Sequence, residues 1–290
     1  MKFTLDTTAI PELDTACLVI GVFEDLPLNG AAKLVDQASE GALARLIDSG
    51  DVSFDWKDTT LLHGLDGVAA KRILVVGFGE PEKFDAVRYD YACTSAGAFL
   101  RDHVTTSAHV CLHDFEFEGC EPGSDLDRVE WRLRQAAVNI DRANYRYTAT
   151  KPPKDHDNDP LDHVSFCGDS SLQPAIDEAR GMAKAYLRSK ELGNLPPNIC
   201  NPAYLAGIAG EIADSYASVS VEILDEDDNI VRTYTQEKIP TERFVTVDNR
   251  GYDKDLVTAV PRATVSKGLN RFVWDMRHEG VSSIPGLPPL

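Results

Sequence analysis

Four short segments with strand character, separated by segments with helical periodicity, constrain the fold of this chain more than any other feature of its sequence. They cover residues 17–23, 71–77, 109–112 and 163–167. The first two are nearly continuous apolar runs, as expected of strands buried on both faces of a parallel sheet. The alternation of such strands with helices predicts an α/β sandwich with a mixed, mainly parallel sheet.

Three helices are predicted between these strands. Ser39 is placed to cap the first, whose apolar residues Leu43, Leu46 and Ile47 share one face, and Gly50 stands where a left-handed closing residue is usual. Helical spacing also predicts helices over Ala86–His103 and Leu126–Ile140. These segments supply the helical layers of the sandwich.

Two further segments have a different character. Val52–Trp56 and Thr59–His63 alternate in a way that predicts a pair of antiparallel strands. Residues 151–162 are polar and rich in proline, which predicts an exposed loop.

The part of the chain after residue 170 predicts a helical segment and then β-structure. A helix that begins near Ala175 is stopped by Gly193-Asn194 and the prolines that follow. Asn201 is suited to cap a second helix with Pro202 in its first turn. Its buried stripe is expected to contain Leu205, Ile208 and Ile212. Alternation over residues 219–223, followed by a returning arm at 230–235, predicts a β-hairpin.

Charge and cysteine content exclude several classes of protein. The formal net charge is −18, which repels phosphate backbones, so nucleic acid is an unexpected partner. The six cysteines form no C-x-x-C pair, and no secretory signal is recognisable at the N-terminus, so we expect reduced thiols in the cytoplasm. The longest apolar runs fall far short of the ~20 residues that a bilayer requires. No membrane role is expected.

A glycine pair follows the second buried strand, where a dinucleotide-binding loop would lie. Gly77-Phe78-Gly79 has the first two glycines of that motif, but position 82 is Glu82 and Pro81 intervenes. The sequence therefore favours a plain turn between a strand and a helix over a nucleotide site.

A possible metal site is indicated by His109, Cys111 and His113, which alternate along a predicted strand and would face the same side. Asp114 and Cys120 lie nearby in sequence. The more common alternative is a half-buried polar face of a sheet, since a metal site needs a fourth group that the sequence cannot place. We therefore assign no metal ligand from sequence. The chain has no Gly-x-Ser-x-Gly elbow and no Walker A loop, so no catalytic residue is assigned either.

The segment Glu191–Ala206 resembles a known family. Its sequence is Glu-Leu-Gly-Asn-Leu-Pro-Pro-Asn-Ile-Cys-Asn-Pro-Ala-Tyr-Leu-Ala. This stretch is similar to the segment that opens the catalytic domain of M17 leucyl aminopeptidases. The order of earlier elements also resembles that family, and the resemblance covers about residues 1–226. The other matching segments are residues 17–23, 41–43, 61–63, 73–79 and 144–147.

The resemblance implies a macro-domain-like three-layer sandwich at residues 1–170, then a linker helix and the start of the peptidase domain at 171–226. Such enzymes use two divalent ions, Zn or Mn, to activate a water for peptide hydrolysis. The family holds them with residues of a Gly-Lys-Gly-x-Thr-Phe-Asp-x-Gly-Gly segment, a later Asp and an Asn-Thr-Asp-Ala-Glu-Gly-Arg segment. Both segments are missing from this sequence. We therefore expect no catalytic, cofactor-binding or metal residue of the family in this chain, and no peptidase activity from the chain alone.

The hexameric assembly of the family implies, as partners, intact aminopeptidase subunits or self-association. The alternative to an inactive homologue is a non-catalytic macro-like module that binds a ligand or supports oligomerisation.

Residues 228–290 have a second resemblance, to the C-terminal module of bacterial sortilin-like BNR-repeat proteins. It rests on Lys267–Arg277 and on Pro285–Pro288. This resemblance implies a β-rich segment of different origin from residues 1–226.

Overall fold

The structure, a computed structural model, describes residues 1–103, 106–116, 123–150 and 161–224, and the backbone of 230–234. The chain divides into two compact units, the first of which is Met1–Gly193 and the second of which begins at Asn194. The predicted boundaries near 170 and 226 stay predictions. The predicted loop at 151–162 lies almost wholly outside the described residues, as does most of 228–290.

A six-stranded sheet forms the centre of the first unit. Its strands are β1 (Lys2–Asp6), β2 (Leu18–Phe23), β3 (Thr59–His63), β4 (Arg72–Gly79), β5 (Ser107–Val110) and β6 (His163–Cys167). They lie in the order β1-β6-β5-β2-β4-β3, and every pair is parallel except β3 with β4 at one edge. The predicted mixed, mainly parallel sheet is therefore confirmed.

Helices cover both faces of this sheet. They are α1 (Gly30–Ala38), α2 (Ala42–Asp48), α3 (Ala86–His103), α4 (Val129–Asn144) and α5 (Gln173–Asn194). One apolar layer joins Val19 and Val76 of the sheet to Ala96 of α3 and Leu133 of α4. The opposite layer joins Ile20 to Val35 of α1 and Leu43 of α2. Adjacent strand residues enter opposite layers because side chains alternate across a sheet.

The predicted helix cap at Ser39 was wrong. Ser39 ends α1, an element that the sequence did not predict, and α2 begins at Ala42 after Gly41 in the left-handed conformation, with φ 78°. The Asp36 carboxylate supplies the capping interaction instead, because its Oδ1 accepts a hydrogen bond from the Ala44 amide at 2.8 Å. The helix start thus depends on a side chain of the preceding helix.

The predicted strand at 52–56 was also wrong, because this segment is a loop that packs against the end of β4. The Lys57 amide donates to the Gly77 carbonyl at 2.8 Å, and the Gly77 amide donates to the Asp58 carbonyl at 2.9 Å. Lys57 is left-handed, with φ 65°, which no regular strand permits. The antiparallel partner of β3 is therefore β4, not this segment.

The second unit contains α6 (Pro202–Ser215) and an antiparallel hairpin of β7 (Val221–Leu224) and β8 (Ile230–Tyr234), as the sequence predicted. The predicted stripe of α6 was wrong at Leu205, which is 45% exposed. The buried residues of this helix are Gly210 and Ala213. No helix among the described residues is long and apolar enough to span a bilayer.

The N-cap of α6 allows a direct test of local stability. Asn201 Oδ1 accepts a hydrogen bond from the Tyr204 amide at 2.9 Å, as the sequence predicted. Replacing Asn201 by Ala should destabilise the helix by about 1 kcal/mol, because this amide loses its acceptor. Hydrogen–deuterium exchange should accelerate in the first turn. The N201D variant keeps an acceptor and should exchange like the unmodified chain; equal protection in all three would contradict the prediction.

Candidate functional site

The carboxyl ends of β5 and β6 bring together polar and sulfur-containing side chains within the sheet. His109 lies opposite Ser165 in the parallel register. Because side chains alternate, His109 and Cys111 face the same side as Ser165 and Cys167. Cys111 lies one residue beyond β5, and its amide donates to the Val19 carbonyl at 2.8 Å, so it continues the direction of the strand.

Three possible metal-ligating side chains meet at this place. The donor atoms of His109, Cys111 and Cys167 all lie within 4.8 Å of one another. Cys167 was not among the residues that the sequence indicated, because it belongs to a strand more than fifty residues further along the chain. A signal for it existed in the alternation of His163, Ser165 and Cys167, but only the strand register shows which face meets His109.

His113 does not face this cluster in the way the sequence predicted. The strand ends at Val110 and the chain turns at residues 112–113, so the alternation does not continue to His113. Its Nε2 instead lies 2.8 Å from the Cys167 carbonyl oxygen and 3.5 Å from the Cys167 Sγ. His113 is therefore a neighbour of the Cys167 sulfur. Cys120 lies outside the described residues.

The two thiols have opposite electrostatic environments. Hydrogen bonding from the Cys111 thiol, together with the rings of His113 and His109, holds the pKa of Cys167 well below its usual range. Burial raises the pKa of Cys111 far above its usual range. Burial alone would lower the pKa of His113, but the neighbouring Cys167 sulfur and carbonyl raise it overall. Of the two thiols, the environment therefore favours ionisation of Cys167 over that of Cys111.

Two imidazole nitrogens at this place are buried and have no hydrogen-bond partner. His109 is fully buried, with Nδ1 2.8 Å from the Ser165 hydroxyl, but its Nε2 has no partner. The Nδ1 of His113 is likewise buried and has no hydrogen-bond partner. Buried polar atoms are nearly always satisfied, so the partnerless Nε2 of His109, beside two sulfurs, is the unusual feature of this place.

The Gly77-Phe78-Gly79 segment is closed to phosphate. The amide of Gly77 donates to Asp58, and the amide of Gly79 donates to the Phe54 carbonyl at 2.9 Å, so neither is available to an anion. A Cβ on Gly77 would stand 2.0 Å from the Asp55 carbonyl oxygen. These glycines allow a loop to approach the strand closely. The predicted turn at these residues was wrong, because all three belong to β4, which ends at Gly79.

A shallow surface cleft of about 190 Å3 lies elsewhere on the first unit, beside α4 and α5. Its basic side chains are engaged within the protein: Arg142 stacks on Tyr186 at 4.7 Å, and Lys190 Nζ donates to the Arg142 carbonyl at 2.6 Å. Arg146 lies 3.3 Å from Asp102. The cleft offers little free charge to a ligand.

Comparison with known proteins identifies the lineage of the chain. Residues 19–154 match the model of the cytosol aminopeptidase family, N-terminal domain. Through this domain the chain is a homologue of the cytosol aminopeptidase family, M17. The probable cytosol aminopeptidase of Xanthomonas axonopodis pv. citri is 38% identical over 226 residues, and that of Stenotrophomonas maltophilia is 39% identical over 226 residues. Each alignment covers 78% of this chain.

Solved structures agree on the fold of this family member. A mutant of tomato leucine aminopeptidase superimposes with a TM-score of 0.61 at 20% identity, covering 79% of this chain and 45% of that one. The bottromycin maturation enzyme BotP in complex with Mn superimposes with a TM-score of 0.52 at 18% identity, covering 72% of this chain and 38% of that one. These superpositions confirm the predicted α/β fold. The predicted M17 resemblance is confirmed by the family match and the curated relatives.

The chain spans less than half the length of the curated M17 relatives it matches, with 44% of each covered. The matched length of 226 residues agrees with the extent of the resemblance to residues 1–226. The two motif segments that hold the catalytic metals in the family do not occur in residues 1–290. No family ligand can therefore be transferred to a numbered residue here.

Proposed function

We propose that this chain is an M17 homologue without peptidase activity of its own, which serves as a binding or assembly module for intact aminopeptidase subunits in the cytoplasm. Hydrolysis by two metals requires carboxylates that hold both ions and bring a water between them. Among the described residues, the cluster of possible ligands is His109, Cys111 and Cys167, which is rich in sulfur and contains no carboxylate. The main support for the proposal that the chain is inactive is the absence of both metal-binding motifs from the sequence.

The surface of α6 supports the assembly role. The described part of the second unit exposes large apolar side chains, and these are Tyr204, Leu205, Tyr216, Val219 and Leu224. Tyr204 and Leu205 are adjacent on α6 and are 38% and 45% exposed. The adjacent exposed pair Tyr204 and Leu205 is the part of this surface that we propose as the contact. In the relatives, more than half of the protein has no counterpart in the matched region, so we propose the catalytic domain of an intact subunit as the occupant.

The first experiment measures hydrolysis of leucine p-nitroanilide by the purified chain with Mn2+ or Zn2+ added. We expect no turnover above the buffer blank, because the family's metal ligands are missing. A full-length cytosol aminopeptidase assayed in parallel is the positive control. Metal-dependent turnover that follows the chain through successive purification steps would overturn the inactive assignment.

The second experiment mixes the chain with purified full-length aminopeptidase of Xanthomonas axonopodis pv. citri and follows its elution by size-exclusion chromatography with light scattering. We expect the chain to co-elute, and the L205D variant to bind at least about 10-fold more weakly, because a buried unpaired charge is costly. V87D, on the exposed surface of α3 in the first unit, is the matched control and should bind normally. Failure to co-elute, or equal binding by L205D, would contradict the assembly role.

The alternative of a nucleotide-binding macro-like module finds less support. The amides of Gly77 and Gly79 are already bonded to the 54–58 loop. The end of β4 is also packed with aromatic rings: Phe78 lies 5.0 Å from both Phe23 and Phe84, measured between ring centroids. These contacts occupy the place where a nucleotide would enter.

A further inference from the structure

We propose that His109, Cys111 and Cys167 form a zinc site inside the N-terminal domain, separate from the two-metal chemistry of the family. The donor atoms of these three side chains lie within 4.8 Å of one another, at the carboxyl ends of two adjacent strands. Two sulfurs and one imidazole are a donor set that selects Zn2+ over the oxygen-preferring ions Mn2+ and Mg2+.

The geometry requires only a small contraction to hold the ion. Zinc binds sulfur at about 2.3 Å and imidazole nitrogen at about 2.0–2.1 Å, so tetrahedral donors stand roughly 3.5–3.8 Å apart. The donor separations here, at most 4.8 Å, therefore exceed the bound separations by no more than about 1.3 Å. Cys111 lies just beyond β5 and Cys167 is the last residue of β6, so both sulfurs lie at the same end of the sheet.

The hydrogen bond to Ser165 prepares His109 as a ligand. When the Nδ1–H of His109 donates to the Ser165 hydroxyl at 2.8 Å, the ring carries its lone pair on Nε2. That Nε2 is the buried atom that lacks a hydrogen-bond partner, and it belongs to a fully buried side chain. A metal ion would satisfy it, whereas an empty site leaves it desolvated and unpaired.

His113 and the charge balance complete the argument. The Nε2 of His113 lies 3.5 Å from the Cys167 sulfur and 2.8 Å from the Cys167 carbonyl oxygen. This position is typical of an outer-shell donor that orients a ligand. Zn2+ with two thiolates and a neutral imidazole carries no net charge, and a neutral group is far less costly to bury than a charged one.

The site has a route of entry and an open position. Cys111 and His109 are buried, but Cys167 and Ser165 are only partly buried, so an ion can approach from the β6 side. The described residues supply three protein donors to this cluster. A water or another small ligand would complete the tetrahedron, as in other sites with three protein ligands.

The test uses the full chain, reduced and freed of metal, titrated with Zn2+ by calorimetry and with Co2+ by absorption spectroscopy. We expect one ion per chain, a thiolate-to-cobalt charge-transfer band and a rise in Tm with zinc, because the ion binds only the folded site. The C111S and C167S variants should each lose the charge-transfer intensity of one thiolate and bind zinc at least 100-fold more weakly. S165A should weaken binding by about 10–100-fold by releasing the His109 ring.

Cys200, a partly buried thiol of the second unit, provides the matched control, and C200S should bind as the unmodified chain does. Circular dichroism checks that each variant is folded. If a cysteine variant does not fold, zinc binding by the H109Q variant and the zinc-dependent rise in Tm of the unmodified chain test the proposal instead. Absence of stoichiometric binding to the reduced chain would overturn the proposal. Binding unaffected by C111S and C167S would overturn it equally. Since no readout involves peptidase activity or docking, failure here leaves the proposed function untouched.

Discussion

Replacing Phe78 by Ala should lower the free energy of unfolding of the first unit by about 3–5 kcal/mol, the largest effect we expect from a single substitution. The Phe78 side chain is fully buried. Its ring centroid lies 5.0 Å from Phe84, 5.4 Å from Phe115 and 6.3 Å from Tyr89. Removing the ring opens a cavity in the middle of these partners, because rings held by separate elements cannot all collapse into it.

Urea unfolding followed by circular dichroism measures this loss. The control is V87A, because Val87 is 60% exposed on α3 and removal of its methyl groups should change stability by no more than about 0.5 kcal/mol. The midpoint for F78A should fall clearly below both the unmodified chain and V87A. Similar midpoints for the two variants would show that the aromatic cluster is not part of the cooperative core.

Replacing Gly77 by Ala should destabilise the first unit by about 1–3 kcal/mol. We expect a value near the upper end, because the atoms that the new Cβ would meet belong to the backbone and cannot rotate away. The added Cβ would stand 2.0 Å from the Asp55 carbonyl oxygen and 2.6 Å from the Phe54 carbonyl carbon. The loop could move away only by breaking the hydrogen bonds that join it to β4, such as that from the Gly79 amide to Phe54.

A second glycine provides a control of opposite sign. Gly181 lies within α5, and a Cβ there would meet no atom within 4 Å. G181A should therefore raise stability by about 0.5–1 kcal/mol, through the better helix propensity of alanine. Thermal unfolding of both variants should give Tm shifts of opposite direction. A downward shift of similar size in both would mean that the 54–58 loop does not constrain β4.

Local sequence patterns were enough to predict the elements whose formation depends on local chemistry. The helix at Ala86–His103 and the strand at His163–Cys167 have the predicted bounds. The Asn201 cap is also confirmed, since a cap involves only the three residues that follow it. The M17 resemblance was also predicted from the sequence, through the Glu191–Ala206 segment.

Predictions failed where a distant side chain or a turn decided the outcome. Asp36 caps α2 from the preceding helix, eight residues before the amide that it accepts from, whereas the usual capping residue lies at the start of the helix itself. The 52–58 segment lies against Gly77 by irregular hydrogen bonds rather than as a strand. For the 52–58 segment the competing interaction comes from β4, outside the window in which periodicity is judged.

The sequence alone determined most of the strands and helices in residues 1–193, because burial leaves its period in the residues themselves, but it did not predict β1 and α1. It indicated the M17 homology of the chain. It also indicated His109 and Cys111, since alternation places them on one face. Only the tertiary structure decided that Cys167 joins them and that His113, beyond the end of the strand, lies beside the Cys167 sulfur. The reason is that the parallel register of β5 with β6 is set by contacts between residues far apart in the chain, which no local pattern records.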